Sequence, residues 1–466
     1  MTLADIDLKS GELVVSTTRI LEANDPLLDP RNRPPLESAI EMILENQNGF
    51  QVPFASVPLA HHAGIAEQNL FRCLFGRDSL LITELLQKRR PELQENVVLA
   101  LASVQGSACD DLSEEEPGRI AHEVRGPDDP RGRELIESGA WKFPYYGSVD
   151  ATLIWLRTLA TIAMRDPKIL EREVSGLPLW QRGSLATQWI MGRLETSSGL
   201  IESSRKNPRG IQNQVWKDSG DSYMHADGTL AIGDSTASIE TVAETYDALL
   251  AAEKIQKLYP SREWPYSSQD LISKAEAIRN KLFELMWLGD RFALGTERDD
   301  NGVQHPFDSQ ASNQGRLLDS GILRGHEFAR YRSAIAEAVT DPALLGETGL
   351  RTLSKSHISY RPGGYHTGSA WPMDGVFTAR GLASHGFVKE SNLITSRIKR
   401  AIESIGGYPE FFRGDSPDHG LITMSISNVI LENSSGESSI NRIVQPPQIM
   451  QGWTIGAYAW ISDHQS

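Results

Sequence analysis

Apolar residues recur at three- and four-residue spacing in about twelve separate segments of this chain, and a stripe of that period belongs on a helix with one buried face. The segments run roughly over 35–46, 79–89, 93–104, 148–164, 184–195, 234–258, 267–287, 310–321, 325–339, 369–386, 388–404 and 450–462. Ser148, Ser184, Ser235 and Ser267 each stand just ahead of such a run. There a hydroxyl can accept from an N–H of the first turn that has no partner within the helix. Strand signals are confined to short stretches near 12–16, 50–54 and 422–430, the last as one arm of a hairpin. The expected class is all-α.

Short links between these segments alternate with long ones, notably 105–147, 197–233, 289–309, 341–368 and 405–449. Connections longer than about 15 residues are uncommon in a compact domain unless they carry function, and these hold just over half of the Tyr, His and Asp. Twelve helices with alternating short and long connections suit two concentric rings of six. That is an (α/α)6 toroid with long loops around an axial pocket and at most a small β-hairpin. Neither linker composition nor an internal repeat marks a second domain. The expectation is a single domain over 1–466, with 1–30 as an N-terminal extension.

Sixty-one acidic residues against 46 basic ones give a formal charge of −15. No Lys/Arg block relieves it, so a nucleic-acid partner would be repelled over most of the surface. The opening MTLADIDLKSGELVV has no basic n-region followed by an apolar run, so no export is expected. The longest apolar stretch, ATLIWLRTLATIAM at 151–164, is interrupted by Arg157 and is too short for a bilayer. Cys73 and Cys109 form no CxxC pair and read as ordinary thiols in a cytoplasmic protein. His61 and His62 are adjacent and so point apart on any regular element, and HExxH, GxGxxG and GxxxxGK[ST] are all absent. Neither a metal nor a nucleotide cofactor is expected.

Six clusters concentrate the chemistry: FGRDSL (75–80), PGRIAHEVRG (117–126), YYGSVDA (145–151), NQVWKDSGDSYMHADG (213–228), GGYHTGSAWPMDG (363–375) and GGYPEFFRGD (406–415). In this order and at these intervals they resemble the motifs of bacterial amylo-α-1,6-glucosidase and glycogen-debranching-type glycosidases, whose catalytic domain is an (α/α)6 toroid. The likeness runs from about residue 70 to the C-terminus and rests on FGRDSL, HEVRG, YYGSVDAT and the WKDSGD–ADG run. The large N-terminal sugar-binding or transferase portion frequent in such enzymes is missing here, so a small glucoside is expected in place of glycogen. Related toroid hydrolases acting on glucosylglycerate, mannosylglycerate or short oligosaccharides stay in view.

Glycosidic cleavage needs one carboxylic acid to protonate the leaving oxygen and a second carboxylate to activate water or attack. The resemblance makes Asp218, in WKDSGD, the general acid. Burial against Trp216 or a neighbouring carboxylate such as Asp221 would keep it protonated near neutral pH. The alternative is that both aspartates only cap or tie the loop. Glu410 resembles the Pro-Glu element that carries the general base in this family. An inverting enzyme would hold the two carboxyls about 6.5–9.5 Å apart with water between them. Asp374 and Asp415 are reserves for the base.

The remaining candidates are substrate ligands. Arg77 and Asp78 can bind vicinal sugar hydroxyls through a guanidinium fork and a carboxylate, or serve as a helix cap and salt bridge. His122, Glu123 and Arg125 offer a donor, an acceptor and a cation within four residues, and with Asp150 they form either substrate ligands or an internal ion-pair network. Tyr145, Tyr146, Trp216, Tyr365 and Trp371 can stack on sugar rings. His366 is a hydroxyl ligand or a structural histidine. Arg125, Lys217, Arg361 and Arg413 could neutralise an acidic aglycone. The resulting expectation is an inverting α-glucosidase acting on a small substrate. Its alternatives are a hydrolase of a charged compatible solute and a non-catalytic sugar-binding toroid. An epimerase or lyase on such a toroid would be expected to centre on His and Tyr bases.

Overall fold

The structure, a computed structural model, describes residues 27, 29–60, 69–231, 235–299, 301–415, 425–432, 438–445 and 447–464. The candidate strand at 12–16 and the pair His61 and His62 lie outside the described residues.

The described α-helices, in chain order, are α1 (Leu36–Met42), α2 (Gly76–Leu85), α3 (Glu92–Ala102), α4 (Pro130–Glu137), α5 (Asp150–Arg165) and α6 (Leu179–Thr196). They continue with α7 (Ile239–Leu258), α8 (Ser268–Met286), α9 (Ala329–Thr340), α10 (Pro372–Ser384), α11 (Val388–Glu403) and α12 (Gly452–His464). A 3-10 helix, Ser312–Asp319, stands in the series between α8 and α9. None of the described helices is long and apolar enough to cross a membrane.

Helix contacts close into a ring: α2 packs on α5, α5 on α7, α7 on the 3-10 helix, that on α10, α10 on α12, and α12 back on α2. Each inner member carries one outer helix: α3 on α2, α6 on α5, α8 on α7, α9 on the 3-10 helix, α11 on α10 and α1 on α12. This is the (α/α)6 toroid. The sequence distinguishes the rings. α8 buries only the stripe Leu271, Ala275, Ile278, Leu282 and Met286, as an outer helix with one solvent face should. α2 buries nine of its ten residues, because it has neighbours on all sides. Closest approach in the inner ring falls at glycines: a Cβ on Gly315 would lie 2.3 Å from Thr378 Oγ1, and one on Gly381 would lie 2.6 Å from the Leu318 carbonyl carbon.

Several boundaries differ from expectation. The stretch 35–46 divides into α1 and the first arm of a hairpin, Leu44–Gln47 paired with Phe50–Pro53. α6 starts at Leu179, so Ser184 lies inside it. The cap of α7 is Ser238, whose hydroxyl accepts from Thr241 N, and not Ser235. Ser267 does cap α8, in a capping box with Asp270, and Ser148 Oγ accepts from Ala151 N at 3.2 Å at the start of α5. The loop 105–147 contains α4, started by Asp129 and Pro130. The expected helix at 310–321 is 3-10 in type. The hairpin near 422–430 is present as Ser425–Glu432 paired with Ser438–Gln445. It is joined by several other short ladders, including the three-stranded sheet of Thr236–Ser238, Gly295–Arg298 and Gln304–Pro306.

The long connections 105–147, 197–233, 289–309, 341–368 and 405–449 all enter inner-ring helices at their N-termini. Unpaired N–H groups and the positive end of each helix dipole therefore surround one mouth of the axis. Most of these helices answer with a carboxylate in the first turn: Asp78, Asp150, Glu240 and Asp374.

Candidate active site

Three of the motif clusters are sewn together before any side chain is considered. Leu74–Phe75 pairs antiparallel with Glu123–Val124, and Glu123 exchanges backbone hydrogen bonds with Tyr145 at 2.9 and 3.0 Å. Gly76 N donates to His122 O at 2.8 Å. A Cβ on Gly76 would come within 2.1 Å of Ala121 O, which is why FGRDSL needs its glycine. The pairing sets the N-terminus of α2 beside that of α5.

Arg77 and Asp150 form a buried ion pair there, Nε to Oδ2 at 2.6 Å with both side chains 3% exposed. Ser148 Oγ donates to the other Asp150 oxygen at 2.6 Å. Arg77 is thus paired with Asp150, and Asp78 stands beside it. Burial, then the charges of Asp218 and Asp150, push the Asp78 carboxyl up to about 7 against the pull of Arg77. Below them a small internal cavity is lined by Arg77, Asp150, Trp216, Glu244, Arg316 and Asp374.

Asp218 sits at the end of the buried run Asn213–Lys217 and is itself partly exposed. Burial raises its carboxyl to about 6, helped by the charges of Asp150 and Glu123 and opposed by Arg77. Asp221, the expected neighbour, instead accepts from Ser219 Oγ at 2.7 Å. Glu410 is 2% exposed. Tyr365 OH donates to its Oε1 at 2.6 Å and Gln448 N to its Oε2 at 3.0 Å. Its own N–H donates to Gln448 O at 2.8 Å. Burial pushes Glu410 up to about 8, with the charges of Asp218 and Asp78 adding to the rise. The two expected catalytic carboxyls therefore share one electrostatic neighbourhood while entering from different loops, one before α7 and one before α12.

Tyr365, His366, Trp371, Trp216 and Phe411 form one buried cluster of rings. Trp371 stacks on His366 and Phe411 at 5.2 and 5.3 Å and meets Tyr365 and Trp216 edge-on at 5.0 and 5.8 Å. Its indole N–H donates to Tyr365 O at 2.9 Å. His366 Nδ1 lies 2.9 Å from Ser219 Oγ and 3.2 Å from Ser222 Oγ, which ties the Tyr-His loop to the Asp218 loop. Burial pushes this imidazole well below its usual range, which favours its neutral form.

Other candidates are engaged away from the carboxyl pair. Lys217 is 1% exposed, and its ammonium donates to Thr352 O at 2.7 Å, to Ser312 Oγ at 3.3 Å and to Asn313 Oδ1. Glu123 pairs with Arg125, which also reaches Asp129 at 3.0 Å and Leu70 O at 2.6 Å. Tyr146 OH donates to Val104 O at 2.7 Å, and Tyr145 OH to Glu114 Oε1 at 3.1 Å. His122 packs between Phe75 and Tyr145. Asp374 is fully buried at the start of α10, where Lys217 and Arg316 face its charge. Arg413 pairs with Asp415 at 2.7 Å. Gln448, which holds Glu410, was not among the candidates. The one available signal was its place just ahead of an inner-ring helix.

No known family model matches the sequence, and no curated protein matches it. Solved structures do match the fold. A family GH63 mannosylglycerate hydrolase from Thermus thermophilus, in complex with Tris and D-glycerate, matches with a TM-score of 0.57 at 13% identity, over 92% of this chain and 100% of its own. A wild-type glycosidase gives 0.53 at 14% identity over 92% and 95%. A glycosidase variant in complex with glucose gives 0.50 at 14% identity over the same shares, 92% and 95%. At such identities these likenesses establish the toroidal fold, in agreement with the ring closure read from the helix contacts.

Proposed function

We propose that this chain is an inverting glycoside hydrolase acting on a small α-linked glucoside, with Asp218 as general acid and Glu410 as general base. The observation that carries this reading is the pair itself. Two carboxyls from different loops stand in one electrostatic neighbourhood, Asp218 raised to about 6 and Glu410 to about 8, so the assigned roles are filled by the minor singly protonated form with Asp218 protonated and Glu410 ionised. Glu410 is fixed by two donors, as a residue that must aim a water requires. Asp218 accepts no side-chain hydrogen bond from a described residue and keeps some exposure, as a residue that must reach a leaving oxygen requires. In the reaction Asp218 gives its proton to the glycosidic oxygen while Glu410 takes one from the water attacking C1.

Tyr365, His366, Trp371 and Trp216 form the wall against which the sugar ring would rest. Asp78, beside the Arg77–Asp150 pair, is the hydroxyl ligand in this reading. Likeness of fold to proteins described as glycosidases supports the same class of reaction. An acidic aglycone is the second reading. It is favoured by Arg361, whose guanidinium has no ion-pair partner among the described residues, and by the D-glycerate in the structurally similar hydrolase.

The test is glucose release from a panel of isomaltose, maltose, sucrose, trehalose, glucosylglycerol, glucosylglycerate and, for mannose release, mannosylglycerate. Asp218→Asn and Glu410→Gln are run beside the parent protein. Cleavage of one member that both variants abolish supports the assignment. Near-normal turnover in both variants overturns it, and sugar binding without cleavage by the parent would point to a non-catalytic toroid.

A further inference from the structure

Glu114 belongs to an acidic run, SEEE at 113–116, that carries no motif, yet it is completely buried. Its backbone takes a left-handed φ of 56°, a conformation that a non-glycine residue adopts only when its surroundings enforce it. The side chains that hold it, Tyr145, Gln214 and Arg119, are also buried. Tyr145 OH donates to its Oε1 at 3.1 Å and Gln214 Nε2 donates to its Oε2. Arg119 Nη1 donates to its carbonyl at 2.9 Å. Arg119 also donates to Gln214 Oε1 at 2.8 Å and to Ser148 O at 3.3 Å. A side chain on Gly210 would strike this cluster, its Cβ only 2.4 Å from Glu114 Oε1.

The cluster joins three pieces of chain. Glu114 and Arg119 come from the loop before α5. Ser148 lies two residues before Asp150, the partner of Arg77. Gln214 lies four residues before Asp218, and its carbonyl accepts from Val149 N at 2.8 Å. Its N–H in turn donates to Ser203 Oγ at 3.1 Å. Gln214 is thus gripped at its backbone N–H, its carbonyl and both ends of its amide. From there the buried run Val215–Lys217 leads directly to Asp218.

We propose that Glu114, acting through Arg119 and Gln214, is a positioning residue for the general acid: the buried cluster fixes the backbone leading to Asp218 against the N-terminus of α5. The inference rests on the reading of Asp218 as the acid. A tie needed only for folding could be apolar, whereas a fully satisfied polar cluster admits one geometry. That single geometry is what a proton donor needs, because its carboxyl must meet the leaving oxygen within hydrogen-bond reach.

The test separates proton donation from everything else by changing the leaving group. In a glucoside the C1–O bond breaks and the leaving oxygen takes the Asp218 proton. In α-glucosyl fluoride the C1–F bond breaks and fluoride leaves as the anion, so no proton is needed from Asp218, while Glu410 still activates the water. Glu114→Gln is expected to lower kcat on the glucoside about 100-fold, the lower end of the usual contribution of a general acid. KM and the rate on α-glucosyl fluoride should stay close to the parent values. Asp218→Asn should show the same split, more strongly. An equal fall on both substrates, or no fall on either, for Glu114→Gln would overturn the inference while Asp218→Asn still splits them. Absence of a split in Asp218→Asn would instead overturn the acid assignment itself. If Glu114→Gln does not fold, Tyr145→Phe, which deletes one hydroxyl donor to Glu114, carries the same comparison with a smaller split.

Discussion

Tyr365→Phe should change the pH dependence of the reaction in a way that can be worked out in advance. The Tyr365 hydroxyl donates to Glu410 Oε1 at 2.6 Å, and a hydrogen bond to a charged group contributes about 1.5–3 kcal/mol. It stabilises the ionised form of Glu410, so its loss favours the protonated form. At 1.36 kcal/mol per pH unit the Glu410 carboxyl rises by roughly 1–2 units. Glu410 lies at about 8 and Asp218 at about 6. Among singly protonated pairs the productive arrangement, with Asp218 protonated and Glu410 ionised, is therefore already only about one in a hundred. The variant lowers that fraction a further roughly 10- to 100-fold, with an equal fall in kcat/KM, and moves the alkaline limb from near pH 8 to roughly pH 9–10. The assay is kcat/KM across pH 4.5–10.5 for parent and variant, with thermal melting as a control on folding. A variant with both limbs in place and kcat/KM within about twofold would refute the reasoning that Tyr365 holds the ionised base.

Three further outcomes follow from the same geometry. Asp218→Asn and Glu410→Gln should each lower turnover about a thousandfold or more while melting close to the parent protein, and Asp78→Ala should also weaken sugar binding, read by calorimetry. Asp150→Asn leaves Arg77 buried without its charge partner, 2.6 Å away in the parent, and should destabilise the fold by about 3–5 kcal/mol in urea unfolding. Asp78, Asp218, Glu244 and Glu410 keep their protons in the fold up to about 7, 6, 8 and 8, whereas an unfolded chain releases them near pH 4. Their contribution is complete below about pH 4 and is lost as pH rises through 6–8. Glu84 and Glu116, held down to about 2, contribute above about pH 4.5 and lose that contribution as pH falls toward 2. From these groups the melting temperature should peak at about pH 4–4.5 and decline toward pH 8. A flat or rising curve over that range would count against the raised carboxyls.

The toroid was legible because each outer helix needs its stripe. The spacing Leu271, Ala275, Ile278, Leu282 and Met286 can only be a helix with one face buried. Alternating connection lengths then implied the two rings. Helix type and ends were not legible in the same way. Over the eight residues of Ser312–Asp319 a period of 3.0 cannot be told from 3.6, and Ser184 looks like a cap until its tertiary neighbours extend the helix before it. The short ladders, such as Phe75 with Glu123, depend on pairing between distant segments and leave no local pattern.

At the site, the clusters were visible because loops rich in polar and aromatic residues are costly to keep without a use. Direction was not visible. Lys217 adjoins Asp218 in sequence, yet its ammonium turns to Thr352 and Asn313, and Glu123 spends its charge on Arg125. Gln448 and Glu114 had no motif at all, since what they do depends on which backbone and amide groups the fold brings to them.

The central claim is a direct, inverting displacement by Asp218 and Glu410, and time-resolved proton NMR of the sugar released by the purified protein tests it most directly. The expected result is β-glucose appearing first from one α-glucoside of the panel and then mutarotating, with the signal absent in Glu410→Gln. Release of α-glucose as the first product, or no hydrolysis of any member, would contradict it.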